Sequence, residues 1–435
     1  MSKFKWILIA SLVIMLLAVP MFGACGEEEV TPPPPSDGGE PPPVEYTLYI
    51  GGSFPLTGPY PEDGAAVLAA FQDYAAYVNE THKLAPWRTE TFPENVTLEV
   101  KCLDDEANPE KALTSYEMLK ADGLLVYRIS GSGIAQAIMA RLQEDNVGAT
   151  TMASGPYLLA PPKTIFMNYP IYTDQVAGIA DWFMENWTED RAPRVSYFTN
   201  DSFGRTIMIP EMDAYLESIG YELVSPGQII STVPTAPPTT ALLWLKENNV
   251  DLTLGAMLTA GSEPSLLEAD RLGMGPDLDY EITFGFASPA HLVVYVRDMG
   301  AQGDGCVVAG SYPPWDDPCD GMVFCNYIQE TYRPDDRVTH IMYPHGIVEA
   351  MIQVEALRLA LENTGKSADQ LTSADVLNYG FYMINNLDTG GIIPTPMTFG
   401  PTDVEGADAV RVDQAQNGEV VLLGTWPLRH IYTQE

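Results

Sequence analysis

Residues 46–79 read YTLYIGGSFPLTGPYPEDGAAVLAAFQDYAAYVN, and the order of events in this stretch decides the fold. Residues 46–50 are aromatic, β-branched or leucine, the composition of a strand, and they stop at Gly51-Gly52. A polar loop from Ser53 to Asp63 follows, and residues 64–79 then place apolar side chains at helical spacing. The unit recurs downstream. Residues 96–103 read as a strand and 109–121 as a helix, with Asn108 as its cap and Pro109 in its first turn. Strands are predicted at 124–129 and 148–152 with a helix at 133–145 between them, then strands at 195–199 and 252–258 with helices at 205–219 and 239–248. Alternation of this kind predicts an α/β chain of parallel sheets with helices on both faces.

The 435 residues are 46% hydrophobic and 19% charged, enough apolar material for a core and enough length for two or three folding units. Twenty-two Lys and Arg stand against 59 Asp and Glu, a formal charge of −37. A surface this acidic repels phosphate backbones, so no nucleic-acid partner is expected.

The first 25 residues have the layout of an export signal. Lys3 and Lys5 precede an apolar run, 6–22, which ends in Phe22-Gly23-Ala24-Cys25. Small residues before a cysteine resemble the bacterial lipoprotein box, although Phe22 stands where Leu is usual. That resemblance implies lipidation of Cys25, which becomes the new N-terminus after cleavage. The alternative is an uncleaved signal anchor; both readings export the domain and tether it to the outer face of a bacterial membrane. Residues 26–45, GEEEVTPPPPSDGGEPPPVE, offer almost nothing to bury and read as a disordered Pro/Glu-rich spacer.

In open parallel sheets, ligands sit beyond the carboxyl ends of the strands. The loops there are small and polar: 53–63, Ser130-Gly131-Ser132-Gly133, and Ser154-Gly155-Pro156-Tyr157. Ser132 and Ser154 near helix starts can hydrogen-bond an anionic group; the bland alternative is ordinary capping. Tyr60, Tyr172 and Trp315 fall in loops, where they line a cleft or simply pack.

Several stretches resemble type I periplasmic solute-binding proteins of ABC importers, the branched-chain amino-acid (Leu/Ile/Val-binding) class in its lipoprotein form. They are Ile50-GGSFPLTGPYPEDG-Ala65, Leu103-DDEANPEKA-Leu113, Ile129-SGSGIAQA-Ile138, Tyr197-FTNDSFGRT-Ile207 and Pro396-MTFGPTDVEG-Ala407 followed by Asn417-Gly418. Their order and spacing are more specific than any one of them. The resemblance implies two Rossmann-like lobes joined by three crossovers, closing on a small-molecule ligand, and an ABC permease as partner. The lobes are expected at 46–170 plus 309–403 and at 171–308 plus 404–435. Ser132 falls on the family serine that contacts a ligand carboxylate, with Ser130 beside it. Gly155 and Tyr157 fall on contacts of the next strand, and Phe203 on an aromatic that covers the ligand. The resemblance departs at Thr283-FGFASP-Ala290, where Ala287 stands at or near the acid that pairs with a ligand ammonium. A buried ammonium needs an opposite charge. Either another acid such as Glu263 or Asp174 substitutes, or the ligand is an amide, a small carboxylate or an aromatic acid rather than a plain amino acid.

Enzyme constellations are missing from the sequence. Ser132 has Ser130 rather than Gly two positions before it, Gln136 interrupts a dinucleotide fingerprint, and no HExxH, CxxC or CxxH occurs. No cofactor or metal is expected; His340 and His345 read as surface or packing residues, and Asp104-Asp105-Glu106 and Asp316-Asp317-Asp320 as parts of solvated acidic loops. Cys319 and Cys325 are close enough in sequence for a possible disulfide. The alternatives to solute delivery are a ligand-sensing lipoprotein that reports to a membrane receptor and, more remotely, an exported hydrolase.

Overall fold

The computed structural model describes residues 44–161, 163–276, 278–288, 291–310 and 312–432, and from Glu45 onward the chain forms one compact unit. Residues 1–25, with Cys25, and nearly all of the 26–45 spacer lie outside the described residues. Among the described residues no helix is long and apolar enough to cross a membrane.

The first sheet is built from β1 (Tyr46–Phe54), α1 (Pro61–Thr81), β2 (Val96–Asp104), α2 (Pro109–Ala121), β3 (Val126–Ile129), α3 (Ser132–Asp145), β4 (Gly148–Thr151) and β5 (Ile165–Met167). Its strands are all parallel in the order β2-β1-β3-β4-β5, so β1, β3 and β4 end along one edge. Ile50 and Phe54 of β1 are fully buried, as the apolar pattern of the opening stretch requires. The predicted α2 cap is present: the Asn108 side chain accepts from the backbone N–H of Glu110 at 2.9 Å and of Lys111 at 3.2 Å.

The chain then crosses into a second sheet through α4 (Tyr172–Asn186), β6 (Arg194–Asn200), α5 (Pro210–Ser218), β7 (Glu222–Leu223), β8 (Gln228–Ile230), α6 (Thr239–Glu247), β9 (Leu252–Ala256), α7 (Thr259–Arg271), β10 (Thr283–Ala287), α8 (Leu292–Met299) and β11 (Val307–Ala309). It returns to the first core with α9 (Asp320–Tyr332), α10 (Met342–Thr364), α11 (Ser373–Tyr379), β12 (Thr398–Gly400) and β13 (Asp403–Gly406). A last crossing delivers β14 (Ala409–Gln416) and β15 (Glu419–Pro427) to the second sheet, whose order is β15-β14-β11-β10-β9-β6-β7 with β8 on β6. The fold is thus α/β, with two largely parallel sheets, each with its own core and joined by three crossings.

Two local expectations are corrected. The helix predicted over 205–219 is split into a short 3-10 turn, Phe203–Ile207, and α5, because Pro210 holds Ile209 extended at φ −119° and ψ 151°. The second sheet also carries an antiparallel hairpin at its edge, β14–β15, turning at Asn417-Gly418 with φ 54° and 77°. Two consecutive positive φ values match the right-handed twist of the strands, and Asn-Gly is the pair best suited to them.

The possible Cys319–Cys325 disulfide is not formed; both are free thiols, with Cys319 at the N-cap of α9 and Cys325 buried within it. Six residues of helix rise about 9 Å, beyond the Cα separation that a disulfide spans.

Helix α10 is buried almost all round through Leu357, and its polar residues form a spine inside the first lobe. Glu349 accepts from Arg128 Nε at 2.9 Å, both side chains being within 1% of full burial. The Glu349 carboxylate also lies 2.8 Å from His345 Nε2, and His345 Nδ1 lies 2.5 Å from the Tyr312 hydroxyl and 3.1 Å from Asn168 Nδ2. Burial pushes the Glu349 carboxyl up, but Arg128 and His345 more than reverse this and hold it below the usual range. Asn168 and Tyr312 lie in the first two crossings, and His345, 1% exposed, is a buried packing residue bonded to both rather than a surface one.

Candidate ligand-binding site

The first-lobe edge is held in place by an acid. Asp105 is fully buried, and its Oδ2 accepts from Ser53 Oγ at 2.6 Å and from Ser130 Oγ at 2.5 Å. Its Oδ1 accepts from Ala107 N at 2.9 Å, and its own N–H donates to Phe54 O at 3.0 Å. One carboxylate therefore ties the ends of β1 and β3 to the loop after β2. Ser130, expected beside the ligand, spends its hydroxyl on this clamp.

Beside the clamp, α3 begins at Ser132 with Gly131 as its N-cap and no capping side chain. A Cβ at Gly131 or Gly133 would meet nothing within 4 Å, so the start of the helix opens onto free space. Uncapped N–H groups at the positive end of a helix dipole form a site for an anion. Two phenols border it: the Tyr157 hydroxyl donates to Ser132 O at 3.0 Å, and the Tyr172 phenol lies close enough to Ser132 to be affected by its side chain. Burial pushes the Tyr172 hydroxyl up to about 12, with the Ser132 contact opposing, so it acts as a neutral hydrogen-bonding group.

The expected contacts near β4 fall at the same place. Gly155 lets the Tyr157 ring fold back over the loop, since a Cβ there would lie 2.2 Å from the ring. Ser154 is buried, its carbonyl accepts from Tyr172 N at 2.9 Å, and its hydroxyl has no hydrogen-bond partner. An unmet buried hydroxyl costs about 1–3 kcal/mol, which a bound ligand or water would recover.

The second lobe contributes Phe203, whose ring lies 5.3 Å from that of Tyr172 at a tilt of 38°. Ser132, Tyr157, Tyr172 and Phe203 are thus brought together as a chain of contacts, with Ser154 and Gly155 behind them. Ala287 is fully buried at the end of β10 between Ala256 and Ala309. The next residue, Ser288, donates its N–H and its hydroxyl to Gln175 Oε1, both at 2.9 Å. Tyr60 sits apart from this chain as the N-cap residue of α1, with Asp63 close enough to affect it electrostatically.

Asp63 is an acid the sequence reading did not single out. It lies one turn into α1, 3.3 Å from His340 Nε2. Burial raises its carboxyl, with His340, Arg128 and His345 opposing and Glu62 adding to the rise. From the second lobe His291, the N-cap of α8, comes near the same group. Burial pushes its imidazole down to about 3, with His340 and His345 adding to the effect. The signal in the sequence was the position of Asp63 directly after the first loop, but an acid in the first turn of a helix is commonplace. The two acids considered from sequence fare differently. Asp174 is engaged by the C-terminal tail, accepting from Arg429 N at 3.1 Å and Ile431 N at 3.2 Å, while Glu263 lies among Tyr295 and Arg297 of the second lobe.

Solved structures of the same architecture span nearly the whole chain. A branched-chain amino-acid ABC transporter structure from Thermus thermophilus with bound valine superposes with a TM-score of 0.73 at 19% identity, covering 89% of this chain and 98% of that one. A fatty-acid ABC transporter substrate-binding protein from Thermomonospora curvata gives 0.72 at 18% identity, covering 89% and 94%. A possible leucine/isoleucine/valine-binding protein from Rhodopirellula baltica gives 0.70 at 15%, covering 88% and 98%. A search of curated protein sequences returns no match. Residues 47–410 match the family model described as periplasmic binding protein, and with two α/β lobes meeting at that open helix start, the chain belongs to the periplasmic binding protein family, in its type I fold.

Proposed function

We propose that this chain is an extracytoplasmic solute-binding lipoprotein that takes a small carboxylate between its lobes and hands it to the permease of an ABC importer. The observation that carries the reading is the uncapped start of α3, with Ser132 between Tyr157 and Tyr172. Valine and fatty acids, the solutes named for two of the similar structures, share the carboxylate such a site would hold. Asp63, already paired with His340, is the acid we assign as counter-charge for an amine, which Ala287 cannot supply. Lipidation of Cys25 would keep the domain near the permease after export.

The test is a thermal-shift and calorimetric screen of residues 45–435 against valine, leucine, short-chain, aromatic and medium-chain acids, and the amide of each. Acids raise the melting temperature by mass action and their amides do not. Ser132→Ala combined with Tyr157→Ala abolishes the shift, and Asp63→Asn weakens only amine-bearing ligands. An amide that binds as well as its acid would sink the carboxylate reading.

A further inference from the structure

Asp174 of α4, Glu405 of β13 and His430 of the C-terminal tail come together although they are far apart in sequence. Each offers one donor atom, and the three lie within 4.8 Å of one another. Glu405 Oε2 is 3.9 Å from His430 Nδ1. Asp174 is 1% exposed and Glu405 7%, whereas the His430 side chain reaches solvent. Backbone groups occupy one oxygen of each carboxylate: Asp174 Oδ1 accepts from Arg429 N and Ile431 N, and Glu405 Oε1 from Ile171 N at 2.9 Å. Asp174 Oδ2, though buried, has no hydrogen-bond partner. Nearby cationic side chains are committed elsewhere, Arg429 to Asp181 Oδ2 at 2.7 Å and Lys163 to Thr402 O at 2.5 Å.

Two buried carboxylates side by side are costly unless one holds a proton or a cation lies between them, and here an imidazole closes the third side. We propose that Asp174, Glu405 and His430 form a binding site for a divalent transition-metal ion, with a coordination position left open to solvent. Two oxygens and one nitrogen suit Zn²⁺, whereas Ca²⁺ needs six or more oxygens and Mg²⁺ a nearly octahedral, water-rich shell. The ion has a mechanical role. Glu405 belongs to a strand packed on β5 of the first sheet, while Asp174 and His430 belong to elements of the second lobe. The bound ion therefore links the two lobes beside the first and third crossings.

The experiment is calorimetric titration of ZnCl₂ into the tag-free, EDTA-stripped full-length protein, with CaCl₂ and MgCl₂ in parallel. One Zn²⁺ binds per chain, raises the melting temperature and is removed by EDTA. His430→Ala weakens this binding at least about tenfold, as loss of even an outer-shell partner commonly does, and Asp174→Asn does the same. The His430 side chain is exposed, so His430→Ala keeps the metal-free melting temperature and its loss of binding is not a folding defect. No Zn²⁺ binding, or equal binding by His430→Ala with the free thiols as ligands, overturns the proposal. Tighter binding of Ca²⁺ or Mg²⁺ than of Zn²⁺ overturns it as well.

Discussion

At the first sheet's edge, the buried Asp105 fixes Ser53 and Ser130 and leaves the neighbouring helix start of α3 uncapped. At the second sheet's edge some polar groups pair locally, Asn200 Oδ1 accepting from Gly204 N at 2.8 Å and Gln175 Oε1 taking both donors of Ser288, while Asn200 Nδ2 and Thr259 Oγ1 are buried without a partner. The second edge also carries the Phe203 ring, 5.3 Å from that of Tyr172. The difference assigns the lobes unequal work. On the function proposed above, the first edge, tied together by Asp105, orients the ligand, and the second adds the Phe203 ring as a cover. Preorganised donors contribute most when the elements that hold them do not move.

The largest expected effect lies beneath the rigid edge. Glu349→Ala leaves the Arg128 guanidinium buried without its ion-pair partner, and urea unfolding should show a loss of about 3–5 kcal/mol. A loss below 1 kcal/mol would mean that the spine is not what stiffens this lobe. Next come paired variants at the two edges. Asp105→Ala strands two serine hydroxyls and costs about 2 kcal/mol of stability, together with ligand affinity. Phe203→Ala leaves stability nearly unchanged and raises the ligand off-rate about fivefold, the value of one aromatic contact. Stopped-flow binding separates the two, and equal effects at both edges would erase the contrast. The smallest effect is acid sensitivity where the lobes meet. His291 is held down to about 3 when folded, against about 6.5 when unfolded, so the unfolded chain takes up the proton first. Its contribution therefore lowers stability as pH falls from about 6.5 towards 3 and is absent above that window. Because the ring keeps some solvent contact, the effect is under about 1 kcal/mol. Comparing urea midpoints at pH 7 and pH 5 for wild type and His291→Gln checks it, and an unchanged difference removes His291 from the account.

Much of the architecture was legible because it rests on local rules. Asn108-Pro109 starts a helix where capping chemistry says it must, and the alternation from Tyr46 onward defines the first sheet. The misses are also physical. Pro210 was a visible break in a helix predicted to run through it, and Asn417-Gly418 was a visible hairpin turn that was read only as part of a motif. Ser132 stood out in a small polar loop at a strand end and Tyr172 as a loop aromatic, while the contacts at Tyr157 and Phe203 were named through the family resemblance. Asp105 looked like one of three acids in a solvated loop, since nothing local reveals that two serines from other strands are folded over it. His345 and the Asp174–Glu405–His430 group depend on chain crossings, which no spacing rule records.

Those crossings also govern when the molecule can become itself. The first sheet is complete at Met167, yet its core needs α10, which arrives only at Met342. The second sheet waits for β14, which begins at Ala409 and pairs with β11. A chain emerging N-terminus first can therefore finish neither lobe until nearly all of it is out, because the contacts that seal each core span hundreds of residues. The same winding leaves both cores incomplete during any passage through a narrow channel. It also makes the last thirty or so residues a folding checkpoint, without which the second sheet is left with an open edge.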